Sequence, residues 1–412
     1  MTVGEDGRAV ASAGGGLRGP RPGVPRGPLR GTVLLAAGVV LAALNLRAAV
    51  TSVSSVLGDV RDGLGMSPAG ISLLTAAPTL CFAVAGTAAP WLARRVGLAR
   101  ALGTALAVLA AGLLLRPFDG PGVMIGGTFV ACAGIAVANV LVPVVVKESF
   151  PLRIGLMTGI YTAALQGSGA VGSAFTPLLE GPVGGWRGAL AVWSAAAVVA
   201  LLVWAVGARH GATPERSQPR RASFGPLLRS PVAWALTGFM GLQSFAAYVV
   251  MGWLPQVYLG AGLDKSTAGL MLSVATLIPV PLSIVIPPVA ARARSQSGWI
   301  AALTVVSMAG VVGLALAPAA APWLWAVLLG MGMTVFSLAL TVISLRAADR
   351  ETAAGLSAMA QCFGYLIASV GPMVFGLLHE ATGAWTASLF VLLGALAVQL
   401  VAGVLAGRPR TV

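Results

Sequence analysis

The sequence predicts an all-α integral membrane protein: twelve transmembrane helices in two six-helix, pseudo-symmetric halves. Three observations predict it. Hydrophobic residues make up 57% of the 412 and charged residues 9%, with a mean hydropathy of +0.91. Soluble domains carry about 25% charged residues, so the chain lacks the polar surface to coat a water-soluble globule. Apolar runs long enough to cross about 30 Å of hydrocarbon recur along it, a crossing needing roughly 20 residues. Finally, the first six runs and the last six share residues at a nearly constant offset of about 198.

The runs fall at 32–57, 68–93, 98–116, 121–146, 153–178, 186–207, 231–258, 267–291, 298–317, 321–345, 352–378 and 384–406. Residues 1–30 precede them. "GGGLRGPRPGVPRGPLR" (14–30) offers little to bury, which predicts a disordered tail. A basic tail before an apolar run also suits a signal peptide, but this run is too long and eleven more follow, so the first span is expected to stay. The eighth run holds Pro279, Pro281, Pro287 and Pro288, and kinks are expected there. The connector 209–230 separates a half at 31–208 from one at 231–407, with a short tail at 408–412.

Basic residues set the orientation. With the amino terminus inside, 21 of 26 lie in inner segments and four (Arg61, Arg116, Arg187 and Lys265) in outer loops. That bias places both termini in the cytoplasm of a multi-pass inner (cytoplasmic) membrane protein. The last one, Arg47, lies inside the first span. The net charge of +14 is spread over short connectors with no aromatic-interleaved basic face, which argues against nucleic acid. Cys81, Cys132 and Cys362 are far apart within apolar segments, and His210 and His379 have no second ligand at metal spacing. No disulfide, metal or cofactor is expected.

The halves match in order. "LNLRAAV" (44–50) faces "LQSFAAY" (242–248), "SPAGISLL" (67–74) faces "STAGLMLS" (266–273), "APWLARR" (89–95) faces "PPVAARA" (287–293), and "GWRGAL" (185–190) faces "AWTASL" (384–389). Because six is even, both halves start on the same side, so the repeat is parallel about an axis along the membrane normal.

"PWLARRVGLAR" (90–100) resembles the major facilitator loop motif Gly-x-Leu-Ala-Asp-Arg-x-Gly-Arg-Lys through Leu92, Ala93, Arg95 and Gly97. Pro90 stands for the first glycine and Arg94 for the aspartate, which removes the acid of that motif's inter-helix ion pair. "LNLRAAVTSV" (44–53), "GIAVANVLVPVVVKESFP" (134–151), "GLMTGIYTAAL" (155–165), "GWRGALAVW" (185–193) and "MAQCFGYLIASVGPMVFGLLHEATGAW" (359–385) resemble one branch. It is the cyanate and 2-nitroimidazole transporter family of the major facilitator superfamily, and the likeness covers about residues 33–405. The resemblance implies the major facilitator fold, a small solute moved by halves that rock about a mid-membrane site, and a single chain as the working unit in lipid. It also implies a gating role for Arg94, Arg95 and Gly97.

Arg47 is the expected anchor of that site. A charge near the centre of a span costs about 2.5–3.5 kcal/mol on insertion scales, and no acid lies deep in any span to pair with it. A bound anion is the expected partner, held by the planar guanidinium fork. The competing reading has Arg47 snorkelling to the outer interface or bonding carbonyls at a kink. Thr51 and Ser54 extend its stripe, and Asn45 shares the neighbouring one with Ala48, Ala49 and Ser52. Asn139, four residues before Pro143, is a further candidate, as are Tyr161, Gln166, Gln243 and Tyr248. Gln361 and Tyr365 share one face four residues apart. Each of these has a plainer reading as an inter-helix hydrogen bond, worth on average about 0.6 kcal/mol. Trp253 and Tyr258 are expected as interface anchors.

These residues describe a secondary active transporter of a small polar or anionic solute working by alternating access. The competing reading within transport is a broad-specificity drug exporter, although a cationic drug pump calls for a buried carboxylate. A membrane receptor or intramembrane enzyme is disfavoured: no span holds a nucleophile–base pair or paired carboxylates, so no catalytic residue is expected.

Overall fold

The computed structural model describes residues 29–210, 226–410 and 412; the expected amino-terminal tail and most of the central connector lie outside them. Every described element is helical. The first half of the chain, before the central connector, holds α1 (Leu29–Ser55), α2 (Leu57–Leu64), α3 (Pro68–Val96), α4 (Leu98–Leu115), α5 (Pro121–Ser149), α6 (Ile154–Val183) and α7 (Trp186–His210). The second holds α8 (Pro231–Gly260), α9 (Lys265–Leu277), α10 (Pro279–Ala291), α11 (Ser297–Leu316), α12 (Pro322–Met333), α13 (Val335–Arg346), α14 (Arg350–Thr382) and α15 (Trp385–Ala406). Side-chain caps start several of them. Ser67 accepts from the Gly70 N–H at 3.2 Å with Pro68 in first position, and Asp264 accepts from the Thr267 N–H at 2.9 Å. Gly97, at φ 86°, turns α3 into α4 in a conformation that strains any side chain.

Eleven helices among the described residues are long and apolar enough to cross a membrane. The remaining expected span corresponds to α6, which is helical for 30 residues, about 45 Å at 1.5 Å per residue. Its Gly, Ser, Thr and Gln content keeps it below that apolar threshold. It packs along α1 and α9 and buries Ser168, Ser173 and Thr176; a helix facing protein needs less hydropathy than one facing lipid.

The eighth expected span breaks at Ile278, just before Pro279, where the proline cluster predicts a kink. The tenth breaks at Thr334 without a proline. There Gly330 and Gly332 press against Ala275 and Ser307 with no room for a Cβ. Trp253 and Tyr258 are not interface anchors. Both are buried, donating to the Pro372 carbonyl at 3.0 Å and the Pro322 carbonyl at 2.9 Å, and so tie α8 to α14 and α12.

Three hydrophobic cores show how the halves meet. One lies wholly between Leu35 and Trp204, and another wholly between Leu227 and Ala406. The third joins Val53, Leu74 and Leu190 of the first half to Val250, Leu272 and Phe375 of the second, towards the end of the bundle that carries Lys265. The same close approach recurs within each half: a Cβ on Gly63 would stand 2.8 Å from the Trp186 ring nitrogen, and one on Gly260 2.7 Å from that of Trp385.

Candidate solute-binding site

Arg47 sits where the two halves face each other. Its stem runs along Gly169 of α6, where an added Cβ would stand 3.5 Å from the Arg47 Cβ and 3.6 Å from the Thr276 Cβ of α9. Three rings from three other helices gather near it. Phe82 of α3 lies 5.0 Å from Tyr365 of α14 and 6.0 Å from Tyr248 of α8, centroid to centroid, and the two tyrosines meet edge-on at 6.5 Å. Both tyrosines are within electrostatic range of the guanidinium. Arg47 is half-buried and forms no side-chain hydrogen bond or ion pair with any described residue. An isolated cation this deep calls for an anion or a dipole from outside the chain.

The other expected residues divide. Gln166 is 7% exposed and stands three residues before Gly169, on the helix face that touches Arg47. Gln361 accompanies Tyr365 on one face of α14, its amide donating to the Ser357 hydroxyl at 3.0 Å. Asn139 is half-buried on α5, two turns from Cys132 along the same face, and Pro143 leaves the Asn139 carbonyl without its helical N–H partner. Tyr161 packs against the core of the first half.

Two candidates have other employment. Asn45 donates to the Leu41 carbonyl at 2.8 Å and the Ala196 carbonyl at 3.4 Å, joining α1 to α7. Gln243 spends its amide on the Met240 carbonyl at 3.2 Å and the Ser244 hydroxyl at 2.6 Å within its own helix. Thr51, placed on the Arg47 stripe by spacing, donates to the Gly169 carbonyl at 2.8 Å and holds α1 against α6. Asn45→Ala is therefore expected to lower thermal stability by about 0.6–1.7 kcal/mol while leaving solute affinity unchanged, as read by paired melting and binding measurements.

Sequence reasoning missed Phe82, which has no polar group, and Thr276, whose hydroxyl bonds the Leu272 carbonyl of its own helix at 3.0 Å. It also placed Arg116 in an outer loop. Instead Arg116 is 1% exposed, its side chain turned back into the bundle from the end of α4. In the expected loop motif, Arg94 and Arg95 are exposed and Arg95 lies 5.3 Å over the Trp91 ring.

At the opposite end of the bundle three ion pairs cross between the halves. Lys265 pairs with Asp59 at 2.5 Å and Glu180 at 2.9 Å, and Arg61 pairs with Glu380 at 3.6 Å. Asp264 next door accepts from the Thr267 hydroxyl and N–H, which holds its carboxyl below the usual carboxylate range, so this helix cap stays charged at neutral pH.

Comparison with known proteins agrees with this architecture. The Major Facilitator Superfamily profile matches residues 35–372. An uncharacterized transporter of Bacillus subtilis, YycB, is 38% identical across 91% of this chain and 94% of its own length. The 2-nitroimidazole transporter of Escherichia coli is 34% identical across 92% and 97%. The cyanate transport protein CynX of the same organism is 30% identical across 84% and 90%. Among solved structures, a bacterial homolog of the human lysosomal transporter Spinster, inward-facing and unoccupied, superposes with a TM-score of 0.76 at 14% identity, covering 93% of this chain and 98% of that one. The chain is a membrane transporter rather than an enzyme, and it belongs to the Major Facilitator Superfamily.

Proposed function

We propose that the protein moves a small polar or anionic solute across the bacterial inner membrane by alternating access, with Arg47 as the electrostatic anchor of the cargo. The observation that carries this reading is a guanidinium set between the halves without a hydrogen-bond or ion-pair partner among the described residues. The relatives' names point to a cyanate-like or nitroimidazole-like cargo. Both suit the geometry: a linear anion or a nitro group can accept two N–H bonds from one guanidinium fork, and Phe82, Tyr248 and Tyr365 offer faces for a flat ring. The test is thermal unfolding of purified protein with 2-nitroimidazole and with cyanate. Stabilisation by either in the wild type, lost in Arg47→Ala, is the expected result; equal stabilisation of both proteins contradicts it.

The six-span halves, 31–208 and 231–407, rock as units about this site. Supporting this are the recurrent close approaches and the placement of the shared core at the Lys265 end. With both termini in the cytoplasm, as the basic connectors favour, that end faces outward, and the described state is shut there by Lys265. The Lys265→Ala change leaves Asp59 and Glu180 as facing like charges. The outward-open population should rise about fivefold, the equivalent of about 1 kcal/mol. Spin labels on α2 and α14 read this as a longer distance; an unchanged distribution shows that Lys265 is not the latch.

A further inference from the structure

A small cavity of about 20 Å³ lies between α1, α3, α5 and α8, with Ser54, Thr75, Arg116, Thr128, Cys132 and Tyr248 in its wall. Its notable member is Arg116. The Nε donates to the Thr128 hydroxyl oxygen at 3.1 Å, and one terminal nitrogen donates to the Ala49 carbonyl at 2.7 Å. Thr128 in turn donates to the Met124 carbonyl at 2.8 Å, which fixes its lone pairs towards Arg116. These bonds orient the guanidinium without neutralising it, because both acceptors are uncharged. None of the described ion pairs includes Arg116. A guanidinium has five N–H donors, and the two bonds leave three for the cavity. Burying such a cation without a counter-charge costs several kcal/mol.

We infer that this cavity is a second anion site, taking a small monovalent anion of halide size at Arg116. Its α1 lining, Ala49 to Ser54, begins two residues beyond Arg47 and ends seven beyond it, about 3–10.5 Å along the axis at 1.5 Å per residue. Tyr248 stands in its wall and also in the ring cluster near Arg47. An anion leaving Arg47 towards the Lys265 end meets Arg116 next. The site itself stands on the geometry of Arg116, and only its place on the path rests on the transport reading above.

Bromide is the probe. Crystals of the full chain in sodium bromide should give an anomalous peak in hydrogen-bonding distance of the Arg116 guanidinium, separate from any peak at Arg47. In solution, bromide should raise the melting temperature relative to gluconate at equal ionic strength. That rise should survive in Arg47→Ala and fall at least threefold in Arg116→Gln. Should Arg116→Gln fail to fold, Thr128→Val, which removes the Nε acceptor and leaves the guanidinium in place, should weaken the bromide effect severalfold. A peak at Arg47 with none at Arg116 overturns the inference and leaves the transport reading standing; a peak at Arg116 alone does the opposite. A crystal peak with no effect in solution marks an adventitious ion only and also overturns the inference.

Discussion

Arg47→Ala is expected to abolish transport in proteoliposomes while the protein still inserts and folds. Its guanidinium forms no hydrogen bond or ion pair with a described residue, so truncation removes none of the contacts holding the bundle together. What it removes is the charge facing the gap between the halves. Losing one partner of a desolvated, hydrogen-bonded charge pair costs about 2–5 kcal/mol, so solute affinity should fall at least about thirtyfold. Arg47→Lys keeps the charge but loses the planar fork and should retain part of the activity. Melting temperature without solute should change little, because the cation has no partner among the described residues to lose. Wild-type kinetics in Arg47→Ala would remove the anchor.

Gly172→Val should cost both stability and binding. A Cβ at Gly172 would stand 2.5 Å from the Thr51 hydroxyl oxygen and 2.8 Å and 2.9 Å from the Ala48 Cα and carbonyl oxygen. Two of those atoms are backbone, so α1 has to move as a rod. Overpacking of this kind costs about 1–3 kcal/mol or more, and the movement breaks the bond from Thr51 to the Gly169 carbonyl. It also carries Arg47 away from the tyrosines, since Arg47, Ala48 and Thr51 all ride on α1. The expected outcome is a lower melting temperature together with at least a tenfold loss of solute affinity, read by calorimetry and equilibrium binding. Gly167 on the same helix has open space at its Cβ position, and Gly167→Ala should leave both unchanged. If Gly172→Val behaves like Gly167→Ala, α1 and α6 do not pack as described.

The contrast between Arg47 and Arg116 explains how much of the molecule could be read from its sequence. Arg47 is legible because the run before it is apolar from Val33 to Leu44 and the next charge after it is Asp59, so no placement avoids the membrane. Arg116 ends a span and reads as a loop residue. In a helix, however, the Cα–Cβ bond tilts towards the amino terminus, so a long side chain at the end of α4 leans back into the span just traversed. The same logic separates the amides. That Asn45 and Gln243 are polar within spans was plain, but whether they meet solute or the Ala196 and Met240 carbonyls depends on which backbone packs beside them. Helix positions followed from hydropathy, and the break at Ile278 from Pro279. The break at Thr334 had no such residue, and follows from glycines pressed against α9 and α11. α6 is the converse case: its low hydropathy comes from the small and polar residues of the face that packs on α1 and α9.

The central claim is that solute rests on the Arg47 guanidinium, and a distance tests it most directly. Solid-state dipolar recoupling between guanidino-¹⁵N arginine in the protein and ¹³C-labelled cargo, cyanate or 2-nitroimidazole, reports a contact of about 4 Å or less when the two are hydrogen-bonded. The account predicts such a contact in the wild type and its loss in Arg47→Ala. A bound, transported solute with the same contact in both proteins, or with none in the wild type, would contradict it.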